Sequence, residues 1–296
     1  MLLRLWLLLP VAARAVMTVF LVMLAGSLLP QILLAVNLEA TPRIPWAAGL
    51  VPIHLWLVWQ YLKGRGAPRT TARTRLDRLT AAPLSRRLWR WSLLSGAFMG
   101  VGLRMLLDLG RRLSPRPGEG LSSPEELAAA PPATVAAFLL ATSLIAGVVE
   151  EAAFRGYLQR PIEVRHGPVA AVVAVAAAFM LAHVQPGAPN PLHWLAIAPA
   201  YLLGSAAFSV LVLLTRSIVP GILVHVAVDV AGLFQYWLLG VPPSVWISGA
   251  DAGFKVRCGL LVAAAARTIW AYRALARVAR EERVADPRAA EDAPAT

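Results

Sequence analysis

Apolar residues in this chain run in long blocks separated by short polar stretches. They neither alternate nor recur on one helical face. The blocks cover 15–36, 46–62, 91–109, 134–153, 168–184, 192–214, 218–239 and 254–272. A run of about 17–25 apolar residues is long enough for a helix to cross a hydrocarbon core of roughly 30 Å. The pattern therefore predicts an all-α polytopic membrane bundle of about eight transmembrane helices. Residues 1–10, with Arg4, look like the start of a leader. The apolar stretch resumes at 15–36 without a small-residue cleavage site, so the expectation is an uncleaved first helix with the preceding residues in the interface.

Composition agrees with this reading. Hydrophobic residues make up 58% of the 296 and charged residues 15%, with a mean hydropathy of +0.64. A soluble globule is excluded. The single cysteine, Cys258, excludes an internal disulfide framework and a multi-cysteine zinc site. The net charge of +12 would suggest a nucleic-acid partner in a soluble protein, but its placement suggests otherwise. Nine Lys or Arg fall within 63–90 against Asp77 alone, the pattern of a cytoplasmic loop obeying the positive-inside rule. Under eight spans, most Lys and Arg collect on the side of the termini. The expectation is a multi-pass protein of the inner (plasma) membrane with both termini cytoplasmic and no nucleic-acid partner. Lys255 and Arg257 run against that bias. Arg104 and Asp108, four apart in the third block, read as a local pair.

The polar, Pro- and Gly-rich stretch 111–132, with a capped helix start at Ser123-Pro124, divides the chain. Residues 1–132 form an N-terminal set of helices with the basic loop, 133–240 the part that carries chemistry, and 241–280 the last helix. Residues 281–296 read as a disordered tail. No long internal repeat suggests an inverted-repeat transporter.

The chemistry lies where ionisable groups interrupt apolar blocks. Glu150 and Glu151 end the fourth block. An acidic residue at the centre of a membrane helix costs about 2.5–3.5 kcal/mol even on lenient scales, so such groups are paired, hydrated or useful. On a helix Glu151 and Arg155 share a face at i, i+4 and can pair, while Glu150 points about 100° away. One carboxylate is then structural and the other left to act on water; both merely marking a solvated helix end is the plainer alternative. His183 ends the fifth block, four residues after Phe179. His225 and Asp229 share a face of the seventh. Buried ionisable groups on three membrane helices tend to face one another across a bundle interior.

These residues form an ordered triple: Glu150-Glu151-xxx-Arg155, Phe179-xxx-His183 and His225-xxx-Asp229. The triple resembles the motifs of the CAAX proteases and bacteriocin-processing enzymes (the CPBP or Abi family), glutamic-type intramembrane endopeptidases. The resemblance covers roughly residues 134–240. It implies a polar, water-filled cavity among the helices of the C-terminal half and water attack on a peptide carbonyl. In that scheme Glu150 is the general base, His183 orients the water, and His225 donates to the oxyanion. Glu151 and Arg155 fix the helix end from outside the reacting groups, and Phe179 packs the wall. Asp229 stands where family members also carry Asn. An ionised Asp only accepts hydrogen bonds, so Asp229 either stays protonated or orients His225 and supports its cationic form, as Asp does in hydrolase triads.

The resemblance implies no cofactor, although Glu, two His and Asp also leave a zinc reading open. It implies a membrane-associated protein or peptide substrate, cut near its C-terminus or a membrane-proximal segment, such as a C-terminal transmembrane sorting tail. The Ala- and Arg-rich composition suggests a bacterial source. Two other classes stay open: a catalytically silent immunity or scaffold protein that binds a peptide, and a proton-relay or transport protein.

Overall fold

A computed structural model describes residues 10–115, 130–184, 191–240 and 242–285, and contains no strand among them. The helices are α1 (Val11–Ala40), α2 (Trp46–Leu62), α3 (Ala72–Leu79), α4 (Arg86–Leu113) and α5 (Pro132–Glu150). A π-helical segment (Glu151–Leu158) joins α5 to α6 (Gln159–Ala182). Then follow α7 (Pro191–Thr215), α8 (Val219–Leu239), α9 (Val245–Ser248) and α10 (Ala252–Ala285).

Five helical runs among the described residues are long and apolar enough to cross a membrane: Val11–Ala40, Arg86–Leu113, Pro132–Ala182, Leu192–Thr215 and Val219–Leu239. The protein is a multi-pass membrane protein with an all-α bundle. The third run has 51 residues, about 76 Å at 1.5 Å per residue, more than twice a hydrocarbon core. It contains the fourth and fifth apolar blocks end to end. They are divided at Gly167, whose φ of 83° lies in the region open to glycine, with Pro168 immediately after.

Two expected spans differ from these five. α2 is only 17 residues long, and α10 carries charged residues along 34. The interval 155–165, expected as a loop, is helical. Every residue from Glu151 to Leu158 is buried, and buried backbone needs internal hydrogen bonds. The tail expected to be disordered from 281 is helical through Ala285. The predicted cap at Ser123-Pro124 lies outside the described residues.

The chain divides into two compact units that interleave in sequence. One takes Met1–Ala81, Ser123–Ala171 and His225–Phe234; the other takes Ala82–Ser122, Val172–Val224 and Gln235–Thr296.

In the first unit α1 packs against α2, α5 and the π segment. Gly26 permits a close approach: a Cβ there would sit 2.6 Å from a methyl of Val149. Leu38, Ala130, Val135 and Leu139 form an apolar cluster, with Phe138, Leu233 and Phe234 against it. The α1–α2 turn is tied by Asn37. Its amide nitrogen donates to the Thr41 and Ile44 carbonyls at 2.8 and 2.9 Å, and its oxygen accepts from the Ala47 amide at 3.0 Å. That amide opens α2 and has no partner within its own helix. The basic loop is partly ordered by its own charge. Arg75 donates to Thr71 Oγ1 at 3.0 Å and to the Gly66 carbonyl at 3.1 Å, with its guanidinium 4.1 Å from the Tyr61 ring centre. Tyr157 of the π segment donates to the Arg75 carbonyl at 3.2 Å, and Gly156 fits closely under the Arg78 carbonyl.

In the second unit α4 packs against α7 and α10. Ser85 caps α4 by accepting from the Leu88 amide at 3.1 Å, the usual N-cap bond. The exposed ends of α4 and α10 are joined by Arg87 and Glu281 at 2.6 Å. Trp91 and Trp270 meet edge to face with ring centres 5.5 Å apart.

Candidate active site

α5 runs without interruption into the π segment, so the two adjacent glutamates straddle a change of helical pitch. A π turn uses i→i+5 hydrogen bonds and holds an extra residue, and such turns recur at functional sites. Here the wide turn carries Glu151 and Arg155 inward together. Their side chains are both 0% exposed, and Arg155 Nη1 lies 3.1 Å from Glu151 Oε1. Two charges so deep persist only when they neutralise each other and find further partners. Glu151 has one: His225 Nδ1 on α8, 2.9 Å from the same Oε1.

That hydrogen bond sets the ring. With Nδ1–H donated to a carboxylate, the other ring nitrogen faces away from Glu151. His225 Nε2 lies 3.9 Å from Glu150 Oε2 and 3.6 Å from Asp229 Oδ2. Both separations exceed direct hydrogen-bond length and suit groups that share a water. The side chains of Glu150 and His225 are 17% and 12% exposed, against none for Glu151. The adjacent glutamates thus differ as the i, i+4 argument required: one is locked in an ion pair and the other borders accessible space.

The structure brings Glu150, Glu151, Arg155, His225 and Asp229 together within the first unit. The hydrogen bond on His225 Nδ1 is made by Glu151. Asp229 lies on the Nε2 side.

Phe179 and His183 belong to the second unit. His183 sits just past the end of α6, with Nδ1 2.8 Å from the Phe179 carbonyl. Its ring touches two aromatics that also touch each other, 4.4 Å from the centre of Phe179 and 4.4 Å from that of Tyr201, the latter stacked at 26°. Tyr201 on α7 is the residue that sequence reasoning missed. The available signal was a lone tyrosine inside an apolar block, but nothing in the spacing tied it to His183.

A zinc ion would need several converging donors. Among the described residues no group of three or more His, Cys, Asp or Glu is placed to hold a metal, and Glu151 Oε1 is already shared between Arg155 and His225.

Comparison with known proteins agrees with the motif reading. Residues 132–231 match the model of a family described as Rce1-like, type II CAAX prenyl endopeptidase Rce1-like. The matched segment begins with α5 and contains every candidate residue named above, from Glu150 to Asp229. No curated protein and no solved structure matches the chain.

Proposed function

We propose that this membrane protein, whose residues 132–231 match the Rce1-like CAAX endopeptidase model, is an intramembrane endopeptidase in which Glu150 activates water. The observation that carries the reading is the difference between the adjacent glutamates. Glu151 is consumed by Arg155 and His225, while Glu150 faces His225 Nε2 across 3.9 Å. A water in that interval donates to the Glu150 carboxylate, which takes its proton as the oxygen attacks the peptide carbonyl. His225, held by Glu151, presents Nε2 to the developing oxyanion; in its imidazolium form Nε2–H donates there. Preorganised donors of this kind supply a large share of acyl-transfer catalysis. Asp229, within 3.6 Å of Nε2, supports that form. The water-orienting role that the motif resemblance gives to His183 is kept for it here, its ring steadied by Phe179 and Tyr201. The proton held by Glu150 then passes to the leaving amine.

The substrate is a membrane-associated protein or peptide, cut near its C-terminus or a membrane-proximal segment. The enzyme resides in the inner (plasma) membrane with both termini cytoplasmic, as the basic 63–90 loop suggests. The water is activated without a metal ion.

The test is cleavage of a membrane-anchored candidate substrate in cells, at matched membrane levels, by wild type, Glu150→Ala, His183→Ala, His225→Ala and Asp229→Asn. Loss of product in the Glu150 and both His variants supports the reading. Asp229→Asn shows whether a neutral amide serves there. Unchanged function in all four would leave a peptide-binding protein on a protease scaffold.

A further inference from the structure

Away from the glutamates, the second unit buries a second set of charges. Arg104, Asp108 and Arg111 stand at i, i+4 and i+7 on α4, one stripe of the helix. Asp108 is fully buried. Its carboxylate accepts from the Tyr236 hydroxyl at 2.5 Å and from Gln235 Nε2 at 3.3 Å, pairs with Arg104, and has Arg257 Nε of α10 at 3.7 Å. Arg104 and Arg111 both donate to the Tyr236 hydroxyl. Their guanidiniums lie over the Tyr236 ring, 4.4 and 4.6 Å from its centre.

The charges do not balance. Among the described residues three guanidiniums surround the Asp108 carboxylate, and the nearby Asp251, which also feels Arg257, is hydrogen-bonded by a fourth, Arg112, at 2.7 and 2.8 Å, so four arginines face two carboxylates. The Nε atoms of Arg104 and Arg111 are buried with no hydrogen-bond partner among the described residues. Excess cationic charge on membrane-spanning helices is costly unless an anion joins it, and the guanidinium fork matches phosphate geometry.

The surroundings favour one source. The cluster occupies the last turns of α4 and α8, where a span ends. Leu238, Leu239, Trp246 and Ile247 are exposed at that same end. Trp246 is tethered there by its indole N–H, which donates to the Leu113 carbonyl at 2.9 Å. Tryptophan is the residue of the headgroup level, and exposed leucines beside it suit acyl chains.

We propose that Arg104, Arg111 and Arg257 bind the phosphate of an anionic phospholipid headgroup, with Tyr236 and Asp108 fixing the guanidiniums. The shared chemistry, a phosphate anion, could also come from free phosphate, so the test separates the two. Purified protein in mild detergent is incubated with phosphatidylglycerol, with phosphatidylcholine of the same chains, or with inorganic phosphate, and retained lipid is counted by native mass spectrometry. Wild type should retain phosphatidylglycerol about tenfold over phosphatidylcholine, which presents the same phosphate but carries a choline cation that the three guanidiniums repel. Arg111→Gln and Arg257→Gln should each abolish the preference. Arg257 is partly exposed and makes its nearest charge contact at 3.7 Å, so Arg257→Gln carries the test if Arg111→Gln fails to fold. Equal retention of the two lipids, or an unchanged preference in folded variants, overturns the proposal. Protection by inorganic phosphate with no lipid retained overturns the lipid assignment.

Discussion

His225 and Glu151 meet at 2.9 Å through Nδ1 and Oε1, and Glu151 is closed off from solvent on every side. The ring is therefore aimed by a carboxylate closed to solvent, and in the proposed mechanism aim and chemistry fall to different glutamates.

The first consequence separates stability from activity. Glu150→Gln keeps size and shape at a position bordering accessible space, so the protein should melt as wild type does. Peptidase turnover should fall about 10²–10⁴-fold, the usual loss for a general base. Thermal unfolding in detergent beside a cleavage assay reads both. A Gln variant that turns over substrate normally would remove Glu150 from the mechanism.

Arg155→Ala should do the opposite. It leaves a fully buried carboxylate without its ion-pair partner, a change that costs about 3–5 kcal/mol. The expected result is a large drop in unfolding temperature and poor membrane accumulation. A melting temperature equal to wild type would show that Glu151 is neutralised by something else.

Tyr201 should matter through its ring. Tyr201→Phe retains the stacking on His183 and should be near neutral. Tyr201→Ala removes an aromatic contact of about 0.5–1.5 kcal/mol and should lower kcat about 2–12-fold through looser His183 placement. Steady-state kinetics of the two variants against wild type decide it, and equal losses in both would point to the hydroxyl instead.

Gly26 and Val149 form a size-complementary pair. A methyl at Gly26 would sit 2.6 Å from a Val149 methyl, so Gly26→Ala should cost about 1–3 kcal/mol by overpacking. Val149→Ala should recover much of that loss when combined with it. A double-mutant cycle with no coupling would contradict the contact.

Asp251 gives a pH signature in the loop before α10. Its hydrogen bonds from Arg112 and the Phe254 amide hold its carboxyl down to about 2, from an ordinary 3.8. A depressed carboxyl stabilises the fold fully above its unfolded-state value and loses that contribution as pH falls through the folded one. Wild type should therefore out-melt Asp251→Asn at neutral pH. The two curves should converge between pH 3.8 and 2. A gap independent of pH would assign the effect to packing.

Block length shows most of the helices in the sequence, and the ordered triple names Glu150 and His225, which the structure sets 3.9 Å apart. The i, i+4 spacing gave both Glu151–Arg155 and Arg104–Asp108. What spacing could not give was partnership across helices. Tyr236 completes the Asp108 cluster and Tyr201 stacks on His183, yet each is a lone tyrosine in an apolar block. The helical path through 155–165 was hidden for another reason. Its arginines read as a solvated loop, whereas Arg155 is buried by an ion pair and Arg160 lies 3.5 Å from Glu163. Charge on a sequence marks solvent only when no opposite charge waits in the fold.

The π segment makes this region sensitive to residue number as well as residue type. Losing one residue between Glu151 and Leu158 would turn everything downstream by about 100° and draw it in by 1.5 Å. Gly156 would leave its seat under the Arg78 carbonyl and Tyr157 its bond to Arg75. The reading frame of the helix is thus itself part of what holds Glu151 and Arg155 together. A screen of single-residue deletions along α5 and α6 should find its sharpest minimum there, even at positions where alanine is already the native side chain.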